Sequence, residues 1–119
     1  MANVGVSSIK LIDSDGDALD DGSGKLNVSA SYSTIASGQN DTVGTSAEVL
    51  TSSTPCKHVD LMASVSNTGI IYVGGSGVTA STGIALYSGD VYSLDIDNLN
   101  DIYVVATVNG ENIQFTYYN

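Results

Sequence analysis

The apolar residues of this chain alternate with polar ones in short runs rich in β-branched and aromatic side chains, and the three-to-four spacing of a helix is almost absent. Glycine, asparagine, aspartate and serine punctuate those runs. A chain patterned in this way has strand faces to bury and no helical stripe to cover them with, which points to an all-β fold.

Read in order, residues 7–12 form a first strand with Ile9 and Leu11 on one face. The Asp13-Ser14-Asp15-Gly16-Asp17 stretch turns the chain, and residues 25–32 alternate with Leu26, Val28, Ala30 and Tyr32 together. Residues 35–40 are weakly patterned and read as loop, whereas 42–51 carry Val43, Ala47, Val49 and Leu50 before Pro55 closes a loop. From there the strands are denser. Residues 56–65 set Val59, Leu61 and Ala63 against Cys56, His58, Asp60 and Met62, and 70–73 form a buried-type run ended by Gly74-Gly75-Ser76-Gly77. Short elements follow at 78–80 and 84–87, and 91–96 place Tyr92, Leu94 and Ile96 on one face. Residues 102–108 are the most hydrophobic run and suit a central strand. Asn109-Gly110 is the strongest hairpin signal, predicting that residues 112–118 pair back with Ile113, Phe115 and Tyr117 aligned.

The expectation is one domain over residues 1–119, a β-sandwich or jelly-roll-like barrel of roughly seven to nine strands. Residues 1–50 form an N-terminal arm or hairpin with loops, and 51–119 a strand-rich core. With 119 residues the chain buries roughly two-thirds of its unfolded surface, enough for one modest core.

Charge narrows the partners. Thirteen acidic residues face three lysines and no arginine, giving a net charge of −10. Arginine is the usual fork for phosphate, so nucleic acid is excluded as a partner, and anionic membrane surfaces are disfavoured. Only 13% of residues are charged, about half the usual share, so the surface is polar but mostly neutral. Such a surface suits a protein largely covered by neighbours. The single cysteine forms no intrachain disulfide, the first residues lack the features of a secretory signal, and no apolar run has the ~20 residues of a membrane helix.

The chemistry available is thin. Asp13, Asp15, Asp17 and Asp21 are the calcium candidates, but Gly16 falls two places early for an EF-hand and Gly24 stands where the closing glutamate belongs. A polar turn is the preferred reading. Cys56 and His58 fall on the same face of a strand, a nucleophile–base combination in principle, yet they lack an orienting third group and read as structural or interface residues. One Cys and one His do not close a zinc site. The Gly74–Gly77 turn lacks the lysine of a phosphate loop, the seven tyrosines read as core and interface packing rather than a sugar platform, and Asp95 and Asp97 lack supporting groups for glycosidase work. The expectation is no enzyme, no cofactor and no catalytic residue.

Four stretches carry a family resemblance: Ser53-Thr54-Pro55-Cys56-Lys57, Asn67-Thr68-Gly69-Ile70-Ile71-Tyr72-Val73-Gly74, Gly83-Ile84-Ala85-Leu86-Tyr87-Ser88-Gly89-Asp90, and the run from Leu94 to Val104 containing Asp95-Ile96-Asp97-Asn98-Leu99-Asn100-Asp101-Ile102-Tyr103. Over a little more than half its length the chain thus resembles a module of tailed-bacteriophage virion structural proteins. The family pattern has proline before Gly89 where this chain has Ser88, which is expected to loosen that turn. The resemblance implies a capsid decoration (cement) protein on the exterior of the virion, made in the host bacterial cytoplasm. Its partner would be the major capsid protein, bound by a symmetric homo-oligomer, trimer or dimer, with residues 1–50 making much of the contact. Two alternatives stand beside it: a tail-fibre or spike accessory module that binds host-surface glycan, and a tail or head-closure component.

Overall fold

The computed structural model describes residues 31–119. The strands expected at 7–12 and 25–30, and the calcium candidates Asp13, Asp15, Asp17 and Asp21, lie outside the described residues. Eight strands run through the described part: β1 (Ile35–Val43), β2 (Glu48–Val49), β3 (His58–Ala63), β4 (Ile71–Gly74), β5 (Ile84–Leu86), β6 (Val91–Leu94), β7 (Tyr103–Ala106) and β8 (Glu111–Tyr118). A 3₁₀ turn at Leu99–Asp101 precedes β7.

The strands form two antiparallel four-stranded sheets, ordered β1-β8-β3-β6 and β2-β7-β4-β5. Their pairings include β1 with β8, β2 with β7, β3 with β6 and β4 with β5. Those four pairings are what one long ribbon, folded back between β4 and β5, makes when it is wound into two layers. The order is therefore jelly-roll-like, and the fold is a β-sandwich.

Alternation decides what each strand buries. In β3, Val59, Leu61 and Ala63 are wholly buried while His58, Asp60 and Met62 face outward. Ile113 and Phe115 from β8, Ile71 and Val73 from β4, and Val104 and Ala106 from β7 complete the inner faces. Leu50, Leu99 and Ile102 close the core from the connections, each at most 2% exposed. The hydrophobic run at 102–108 yields β7, which lies between β2 and β4, so its expected central place is observed.

Four local expectations are corrected. Residues 35–40, read as loop, belong to the nine-residue β1, which pairs along β8 from Ile35↔Tyr118 to Asn40↔Ile113. Its inward positions are small because the ring of Phe115 occupies the space: a Cβ on Gly38 would stand 2.8 Å from Phe115 Cε2. The strand-rich region accordingly begins upstream of residue 51, with β1 and β2 each in a sheet. Residues 78–80 form no strand; Val78 instead folds down over Gly74 and Gly83 and is buried. Finally, Asn109-Gly110 does not join a hairpin. Gly110 has φ +88° and turns the chain as expected, but β7 and β8 lie in different sheets, so the turn is a corner between layers. The Gly110 amide donates to Val43 O, and the Ala106 amide to Gly44 O, fastening that corner to the β1–β2 loop.

Side-chain brackets hold the other connections. Asn98 Oδ1 accepts from the amides of Thr54 (2.9 Å) and Asn100 (3.0 Å), and its Nδ2 donates to Ser53 Oγ. The buried Glu111 carboxylate accepts from the amides of Gly69 (2.8 Å) and Thr68 (3.4 Å). Asn98→Ala strands two backbone donors at once and is expected to cost about 1–2 kcal/mol in urea unfolding. The same measurement on Asn100→Ala, which retains both amides, is expected to show little change.

Candidate functional site

Because Val59 and Leu61 point inward, β3 must present His58 and Asp60 on the outer face of the first sheet. Registry supplies their neighbours. His58 stands opposite Tyr118 on β8, and Asp60 stands between Ser93 on β6 and Thr116 on β8. Asp95, one residue beyond β6, reaches back to the same imidazole.

The result is a closed polar network. His58 Nδ1 lies 2.7 Å from Asp95 Oδ1, and Nε2 lies 3.0 Å from Asp60 Oδ1. Ser93 Oγ donates to Asp60 Oδ1 at 2.5 Å, and Tyr118 OH donates to Asp60 Oδ2 at 2.7 Å. The rings of Tyr32, His58 and Tyr118 are in mutual contact, with centroids 5.5–5.8 Å apart. The hydrogen bond to Asp95 raises the His58 pKa, with Asp60 adding to it against the opposing effect of desolvation. Ser93, then Tyr118 and His58, hold Asp60 below the usual carboxylate range, and the bond to Asp60 raises the Tyr118 pKa.

This geometry does not form a Ser–His–Asp triad. Each ring nitrogen of His58 faces a carboxylate, so the protonated ring donates on both sides and keeps no lone pair for a nucleophile's proton. Ser93 is committed to Asp60 rather than to His58. The two carboxylates also sit on different edges of the ring instead of converging on a point. Among the described residues, no group of three or more His, Cys, Asp or Glu side chains is arranged to hold a metal.

The network has two titrating ends with opposite signs. His58, with its pKa raised on folding, contributes stability that is fully present below the unfolded value of about 6.5 and lost as pH rises through the folded value. Asp60, depressed on folding, contributes stability above its unfolded value that is lost as pH falls through the folded one. The stability difference between the protein and His58→Gln is therefore expected to be greatest near pH 6 and to shrink toward pH 9. Both partners are part-exposed and screened, so the maximum is about 1 kcal/mol or less, readable from urea midpoints across that range.

The pairing of Cys56 with His58 on one face is overturned. A bend at Lys57 breaks the alternation just before β3, sending Cys56 into the core while His58 stays outside. The Cys56 thiol donates to Ile96 O at 3.2 Å, and burial, followed by the Asp97 carboxylate, pushes its pKa up. It is a packing residue and a poor nucleophile. Asp95 and Asp97 also part company, the first held by His58 and the second lying beside Cys56 and Lys57. The Gly74–Gly77 stretch is an inter-strand turn with Gly77 at φ +80°. Ser88, expected to loosen its turn, instead donates from its hydroxyl to Val65 O at 2.8 Å and ties that turn to the β3–β4 loop.

The outer face of the second sheet is different in kind. Registry builds two cross-strand rows, Val49–Tyr103–Gly74 and Val105–Tyr72–Ala85, with no charged side chain in either. A groove of about 650 Å³ lies beside them, walled by Thr45–Ala47 from the β1–β2 loop and Val78–Ala80 from the β4–β5 loop, and its lining is uncharged throughout. Sequence reading did not single out this face, nor Ser93 and Tyr118 as partners of Asp60. The signal for the network was a lone histidine two residues from an aspartate on an alternating strand; the identity of the cross-strand partners needed the register.

Comparison with known protein families and with curated proteins gives no match for this chain.

Proposed function

We propose that this chain is a bacteriophage capsid decoration protein, bound to the outer surface of the head shell as a symmetric oligomer and bridging neighbouring major capsid subunits. The observation that carries the reading is the charge-free outer face of the second sheet on a chain of net charge −10. Carboxylates would keep such a chain soluble and apart from its copies. A face that excludes them is suited to being covered by a protein surface, with Tyr72 and Tyr103 as anchors whose large rings gain from burial. The rigid, cross-bracketed sandwich fits a part that clamps rather than reacts, and the doubly engaged His58 agrees with a non-enzymatic role.

The test is direct. Purified chain is added to assembled heads that lack it and the heads are sedimented. The expected result is saturable co-sedimentation at a fixed ratio to the shell protein; recovery of the chain in the supernatant at all concentrations contradicts the proposal.

A further inference from the structure

The outer face of the first sheet carries a second recognition surface, separate from the face assigned above and independent of that assignment. A depression of about 530 Å³ crosses β1, β8, β3 and β6, within the roughly 300–1,000 Å³ of small-molecule sites. Its polar rim is Ser37 and Gln39 from β1, Gln114 and Thr116 from β8, and Asp60 from β3. Met62 and the 61%-exposed Val91 form an apolar ledge along one side.

The chemistry of that lining selects a ligand by elimination. It contains no cationic group, so an anion would meet Asp60 and the net negative charge of the chain without a counter-charge. A cation fares little better, because Asp60 already accepts from His58, Ser93 and Tyr118 and is largely neutralised. The remaining groups are amides and hydroxyls, which both donate and accept, beside a patch of aliphatic surface. A pyranose has the same two faces: a rim of hydroxyls that donate and accept, and an apolar C–H surface. We propose that this depression binds neutral carbohydrate, with Gln39 and Gln114 hydrogen-bonding the hydroxyls and Met62 and Val91 supporting the ring. Asp60, fixed by its three partners, supplies an acceptor that needs no reordering on binding.

The experiment is an NMR titration of the isotope-labelled full chain with cellotetraose, maltotetraose and chitotetraose, and with sialyllactose and a heparin tetrasaccharide as anionic comparisons. At least one neutral sugar is expected to bind with millimolar or tighter affinity and to shift the backbone amides of Gln39, Gln114 and Thr116. Gln114→Ala, an exposed change, is expected to weaken that binding about 5- to 10-fold with an unchanged spectrum elsewhere. Binding of none of the neutral sugars, binding of the anionic ones alone, shifts confined to other surfaces, or undiminished affinity in Gln114→Ala would each overturn the proposal. None of these outcomes bears on co-sedimentation with heads, which engages the opposite sheet.

Discussion

Two carboxylates placed on the outer face of the second sheet, Val49→Glu together with Ala85→Glu, are expected to weaken binding to assembled heads by at least about 100-fold. Val49 pairs with Tyr103 and Ala85 with Tyr72, so each substitution puts a charge beside one of the two proposed anchors. Covering a charge without a partner costs at least ~1–3 kcal/mol, and two such costs correspond to the stated loss. Both positions are exposed, so the urea midpoint is expected to move by no more than the ~0.5 kcal/mol typical of surface changes. A sedimentation isotherm for the double variant separates the outcomes. Undiminished binding would remove this face from the contact and leave the charge-free groove without its proposed role.

Leu61→Ala is the second large effect, and it concerns the fold. Leu61 is wholly buried on β3, across from Phe115 on β8 and Tyr92 on β6, at the middle of the first sheet's inner face. Truncation removes three carbons where neither sheet can close in easily, and the expected cost is about 2–5 kcal/mol in urea unfolding. Its neighbour Met62 points outward from the same strand, and Met62→Ala is expected to cost much less. Equal costs at the two positions would mean that β3 is not packed in the described register, since a one-residue slip exchanges its faces.

The two predictions rest on alternation, which was the part of the fold most legible in the sequence. Val59, Leu61 and Ala63 against His58, Asp60 and Met62 could be written down from the order of residues alone, and Tyr103–Ala106 could be placed inside a sheet by its hydrophobicity. What failed was whatever depended on a partner distant in sequence. β1 was missed because its inner positions are small, and they are small because Phe115, some 77 positions later, fills the space beside Gly38. Asn109-Gly110 was recognised as a turn, but a local signal carries no information on which layer receives the next strand; the winding of the whole ribbon decides that. The candidate site divides in the same manner. His58 and Asp95 were both noticed, separately, and only the β3–β6–β8 register joined them through Asp60, Ser93 and Tyr118. Cys56 was placed on the wrong face because one bend at Lys57 resets the period of two.

The resemblance to phage virion modules gains a physical reading from the same details. Its quoted residues include the turns that close the sandwich: Asn98 brackets two connections, Gly89 takes φ +85°, and Ser88 secures the turn that proline would otherwise stiffen. They also include Tyr72, Ala85 and Tyr103, which make up much of the uncharged outer face. One set of residues thus serves both closure of the fold and the surface proposed to meet the shell.

The most direct measurement is the number of copies of this chain per particle, obtained by quantitative mass spectrometry of purified virions against the major capsid protein. A decoration protein is expected at hundreds of copies, in fixed ratio to the shell subunits. A handful of copies, as for a fibre or a head-closure ring, would contradict the proposed role.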